Sequence, residues 1–196
     1  MELQRFIIQK SLVTETEPDL KQLIPVFHRW IQQQEIEGHL LIDVGDYLHL
    51  RHDPRLLLVA HEATLGVIRS DTRTFLQYQR RRPSPDSLSQ RILQGWSTLQ
   101  QASDLLEQES ELNPRFCFQP HRYRFISNDH LWQDTAADGT SNLKHALEEA
   151  FTASGNPGCK ILSEGEDTNR RLMLEFDHLP VSGSEQAVDC EKTLVS

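Results

Sequence analysis

The sequence predicts an α+β domain: a mostly antiparallel sheet with helices packed on one side, in the order β-α-β-β-β-α-β-α-β-β. Three observations predict it. Strand-like runs follow one another across short polar turns, so hairpins dominate. Three stretches carry apolar residues three and four apart, as one face of a helix requires. Strand and helix do not alternate regularly, as they would around a parallel sheet.

The elements follow in chain order. Leu3–Gln9 is rich in strand formers and reads as a first strand. Thr14–Pro18 is a polar connector with Pro18 placed for a first helical turn. Leu20, Leu23, Ile24, Phe27, Trp30 and Ile31 form one helical face, with Pro25 either kinking the helix or starting its regular part. His39–Leu50 and Leu56–Ile68 read as the two strands of a hairpin turning over Asp53-Pro54, and Thr72–Gln79 as a third strand.

Pro83 and Pro85 then delay the next helix, which spans Ser87–Leu112 with Leu88, Ile92, Trp96, Leu99, Ser103 and Leu106 on one side. Gly95 weakens it by about 1 kcal/mol relative to alanine. Phe116–Ser127 reads as a strand with an edge or bulge at Pro120. A loop over Thr135–Thr140 precedes a helix carrying Leu143, Ala146, Leu147, Ala150 and Phe151. Cys159–Ser163 and Arg171–Phe176 close the fold around an acidic turn.

The 196 residues suit one domain over 1–180, followed by a disordered tail at 181–196 that lacks apolar periodicity. The longest apolar run, Leu56–Ala60, is far short of the ~20 residues that span a bilayer. The N-terminus carries no signal-peptide pattern, so the expected compartment is the cytoplasm. Cys117, Cys159 and Cys190 are scattered, and Cys117 reads as a small buried apolar residue. A net charge of −9 disfavours nucleic acid and anionic lipid. No motif calls for a cofactor. The partners expected are a protein or a small molecule.

The densest polar cluster lies in the central hairpin: Asp43, Asp46, Tyr47 and His49 on or near its first strand, His61 and Glu62 on its second. A turn centred at Asp53-Pro54 places Asp46 opposite His61. Three readings stand. One is a hydrogen-bonded Asp–His pair that fixes strand register. Another is a metal site from His49, His61, Glu62 and an aspartate. The last is acid–base catalysis by His61 oriented by Asp46. A candidate basic patch, Arg80, Arg81 and Arg82, has Phe75 and Tyr78 nearby.

Phe27-His28-Arg29-Trp30-Ile31-Gln32, then Leu40-Leu41-Ile42-Asp43-Val44 with Asp46-Tyr47 and His49, then His61-Glu62, resembles an uncharacterised family of bacterial proteins of similar length. Tyr78-Gln79-Arg80-Arg81 and Phe125–Asp129 extend the likeness. The chain departs from it at Arg51–Arg55, where that family carries a glycine- and proline-containing loop. The resemblance implies a single domain and no known reaction. The function expected is therefore a non-enzymatic binding or adaptor protein. The alternative is a small metal-binding protein or enzyme built on the hairpin cluster.

Overall fold

The computed structural model describes residues 2–13, 18–50, 56–70, 73–112, 116–129, 136–153 and 158–179. The expected tail at 181–196 and the hairpin turn at 51–55 lie outside them. Strand β1 is Phe6–Leu12. A 3-10 turn at Leu20–Gln22 leads into α1, Leu23–Gln33. Then come β2 (Leu41–Asp46), β3 (Leu56–Ala60), β4 (Ala63–Ser70) and β5 (Arg73–Arg80). Helix α2 is Leu88–Gln108, β6 is Phe118–Ser127 and α3 is Ala136–Ala153; β7 (Cys159–Glu166) and β8 (Leu172–His178) end the fold.

The strands form one 8-stranded antiparallel sheet in the order β2-β3-β4-β5-β1-β6-β8-β7. The helices lie on one side of it. Their apolar faces meet Phe6 and Ile8 of β1, Leu76 and Tyr78 of β5, Phe125 of β6, and Leu174 and Phe176 of β8 in one core. Phe6 stacks on Phe125 and Tyr123 on Phe176. Each such side chain contributes roughly 1.5–3 kcal/mol by leaving water.

Local chemistry sets the helix ends. Pro25 sits in the first turn of α1, where its missing N–H costs nothing, and α1 ends on Gln34 in the left-handed region at φ 51°. Ser87 and Gln90 cap the start of α2 reciprocally. Helix α2 buries Ile92, Leu99, Ser103 and Leu106, while Trp96 is half-buried at the rim of the core. The register shift between Lys10 and Leu12 opposite β6 encloses Pro120, so that proline marks an irregularity in an internal strand and not an edge.

Four expectations are corrected. The run Leu56–Ile68 is two strands, not one. The chain reverses at His61-Glu62, with Val59 opposite Thr64. Reversal lets Ala63, Leu65 and Val67 bury on the same face as Leu56, Leu58 and Ala60. Helix α3 begins at Ala136, inside the expected loop Thr135–Thr140, because one glycine among helix formers only weakens a helix. In the central hairpin, Asp46 lies opposite Leu56, so the Asp46–His61 pairing does not form. Cys117 is half-buried, where a small buried apolar residue is expected.

Candidate functional site

The structure splits the expected polar cluster. Asp43, Asp46, Tyr47 and His49 lie exposed at the far end of β2. Asp43, inside the strand, accepts the Val44 amide, and Asp46 accepts the Leu48 amide as a turn carboxylate does. His61 and Glu62 form the β3–β4 turn, where they join residues of the basic stretch. The Arg81 and Arg82 amides donate to the Glu62 carbonyl. Arg82 also donates to His61 Nε2 at 2.8 Å. Arg80 is buried on the helix side and donates to Gln94. Among the described residues, no group of three or more His, Cys, Asp or Glu side chains is placed to hold a metal ion.

Donor logic orders this array. A guanidinium only donates, so His61 Nε2 accepts from Arg82 and His61 Nδ1–H donates to Glu62 Oε1 at 2.9 Å. His39, whose side chain is 1% exposed, faces the other carboxylate oxygen, with Nδ1 3.6 Å from Glu62 Oε2. The Thr98 hydroxyl donates to the Gln94 carbonyl, so Thr98 accepts from His39 Nε2–H at 2.9 Å. That leaves a bare Nδ1 facing a carboxylate. His39 Nδ1, Glu62 Oε2, Tyr78 Oη and Arg80 Nε are all buried without a hydrogen-bond partner.

Burial holds the His39 imidazole below its ordinary value, against the pull of Glu62. Burial also pushes the Tyr78 hydroxyl up to about 12. The free space beside His39, Tyr78 and Thr98 is about 10 Å³, room for one water molecule.

The other face of the sheet carries a cavity. Register aligns Gly66, Gln77, Gln9, Arg124 and Glu175 in one row across five strands, β4 to β8. The next row holds Gln79, Ile7, Ile126 and Met173. These side chains point away from the helices, because alternate residues of a strand face opposite ways. Such a face is ordinarily solvated. Yet Gln9 is 3% exposed, and Gln77 and Arg124 are each 7% exposed.

The sheet curls, so Arg69 of β4 and Met173 of β8 line the same cleft although three strands lie between them. The cleft holds about 400 Å³, and no helical residue lines it. The β7–β8 turn forms its rim. There Asp167 accepts the Asn169 and Arg171 amides and holds the Arg171 guanidinium. Arg171 reaches on to Asn128.

Burying amides and a guanidinium costs free energy unless they are hydrogen-bonded. Gln9 Nε2 donates to Gln77 Oε1 at 2.9 Å, which leaves Gln9 Oε1 buried and unpartnered. Turning both amides over would leave a buried N–H instead. Arg124 donates Nε to Glu175 at 2.8 Å and lies over the Phe75 ring, 4.7 Å from its centroid. Burial pushes the Glu175 carboxyl up, but Arg124, helped by Arg73 and Arg122, outweighs it and holds the group below its ordinary value.

Sequence reasoning missed His39 and the whole cleft. His39 reads as a strand start, and its partner Glu62 becomes one only when the chain reverses between them. Gln9 and Gln77 give one signal, a polar residue alternating with apolar ones, and that pattern equally marks an ordinary wet strand. No family model matches the chain, and neither a curated protein nor a solved structure matches it.

Proposed function

We propose that this chain is a non-enzymatic binding protein that takes a small molecule into the cleft on the open face of its sheet. One observation carries the reading: a row of buried polar side chains, Gln77, Gln9 and Arg124, lines a cavity of about 400 Å³ and includes an unpartnered amide oxygen. Cavities of that size with a few convergent polar groups are where small ligands bind.

The separation of the two sites supports binding over catalysis. The array of His39, His61 and Glu62 sits by the helix face with room for one water, whereas the cavity lies on the opposite face. Acid–base chemistry needs its proton-transfer group within hydrogen-bond reach of the substrate.

A thermal-shift screen of small neutral and charged compounds tests the reading. Ligands should raise the melting temperature of the wild type and of Asp46→Asn, and lose that effect in Gln9→Leu. Hits that act equally on Gln9→Leu, or no hits at all, would contradict it.

A second reading, an adaptor for a protein partner, is favoured by the edge strand. Leu40, Ile42, Tyr47 and Leu50 are 44–60% exposed along and just beyond β2. Crosslinks to a partner that concentrate on β2 and vanish in Ile42→Lys would support it. We place the protein in the cytoplasm on its composition. The likeness to the uncharacterised bacterial family belongs to the same proposal.

A further inference from the structure

We infer that the cleft selects an uncharged, amide-bearing ring, a compact heterocycle or aryl carboxamide, and discriminates against anions. The inference rests on the binding reading above and adds the class of ligand. It starts from charge. The Arg124 guanidinium is neutralised by Glu175, and that of Arg171 by Asp167. Glu166 adds a carboxylate at the rim. Arg124 and Arg171 are thus already spent on carboxylates, so a phosphate or carboxylate, which would lose its hydration on entering, gains little from either.

What remains open is neutral hydrogen bonding. Gln9, which keeps a buried amide oxygen without a partner, lines the cleft together with Gln77 and Gln79. A primary amide both donates and accepts, so its best complement is another amide edge. Beside this polar row runs an apolar one. Ile7, Ile126 and Met173 stand next to it in register, and Ile68 closes one side. Rows two residues apart along a strand lie about 7 Å from each other, and the span from β5 to β8 is about 14 Å. A ring laid over the isoleucines with its amide edge on Gln9 and Gln77 fits both dimensions. The fixed Arg124, held by Glu175 and Phe75, bounds the site on the β6 side.

The test is saturation-transfer NMR on the full chain with four separate probes: nicotinamide, uracil, benzoate and toluene. Nicotinamide and uracil should receive magnetisation and compete with each other, while benzoate and toluene should not. Gln9→Leu should weaken nicotinamide binding by about tenfold, the worth of one hydrogen bond. Gln79→Leu, at a half-buried position, should weaken it as well even if Gln9→Leu fails to fold. Benzoate or toluene binding more strongly than nicotinamide, with Gln79 dependence, would overturn the ligand class while leaving a binding cleft in place. Transfer to no probe, or transfer indifferent to both substitutions, would overturn the class and the binding reading together.

Discussion

Gly95 of α2 and Tyr78 of β5 approach so closely that a Cβ on Gly95 would stand 2.7 Å from Tyr78 Cε1 and 3.2 Å from the Phe6 ring. The glycine is where the long helix sits down on the sheet. Propensity alone says that Gly95→Ala should stabilise α2 by about 1 kcal/mol. Contact says the reverse, since overpacking a core costs typically 1–3 kcal/mol. Tyr78 is fully buried and its neighbours leave it little room to shift. Gly95→Ala should therefore melt lower than the parent, and an equal or higher melting temperature would show that the ring moves freely.

Asp46 and His61 are not partners, and their substitutions should not couple. Asp46 is exposed and opposite Leu56, whereas His61 bonds Glu62 and Arg82. In a double-mutant cycle of Asp46→Asn and His61→Gln, the stability changes should add to within about 0.5 kcal/mol. A larger coupling energy would restore the hairpin register that the sequence reading expects.

Acid should destabilise the fold partly through His39. Burial holds its folded value below the ordinary 6.5, with Glu62 opposing the shift and Arg80 reinforcing it. Between those two values the unfolded chain binds a proton that the folded chain refuses. The contribution is fully present above about 6.5 and is lost as pH falls from there toward the folded value. His178, whose value is also lowered by burial, adds a second share of the same sign. Glu62, its value lowered, adds loss only below the ordinary carboxylate value of 4.5. Melting curves between about pH 7 and pH 5 should fall less steeply for His39→Gln than for the wild type. An unchanged slope would mean that His39 titrates alike in the folded and the unfolded chain.

Glu175 should matter more to stability than its position on a helix-free face suggests. Its partner Arg124 has a side chain only 9% exposed. Removing one member of a buried pair strands the other charge, at a cost of about 3–5 kcal/mol in full burial. Glu175 itself is 21% exposed, and solvent screening reduces the figure. Glu175→Gln should cost roughly 1–3 kcal/mol in chemical denaturation, and a loss within error of zero would show that water reaches the guanidinium.

The class of fold is legible because it rests on period and punctuation. Leu88, Ile92 and Leu99 repeat at helical spacing, Ser87 caps, and Asp167 folds the last turn. The break inside Leu56–Ile68 is not legible. Two-residue hairpin turns usually announce themselves with glycine or asparagine at positive φ. His61 and Glu62 reverse the chain without either, and neither has positive φ. That one missed turn moved the expected site, because it alone brings Glu62 back to His39 and to the backbone of Arg81 and Arg82. The cleft depends on which residues of five strands stand in one row, and on the curl that brings Arg69 toward Met173. Both are properties of strand order, which a sequence of hairpins leaves open at β1, where the chain pairs β5 on one side and β6 on the other.

We assign the ligand to the helix-free face of the sheet, and not to the His39–Glu62 array. The most direct measurement is a two-dimensional amide NMR titration of the labelled full chain with nicotinamide, including side-chain amide resonances. Shifts should saturate together at the Gln9, Gln77 and Gln79 side chains and at the Ile7, Ile126 and Met173 backbone, with His39, His61 and Glu62 unmoved. Shifts centred on His39, His61 and Glu62, with the three glutamine side chains unmoved, would contradict that assignment.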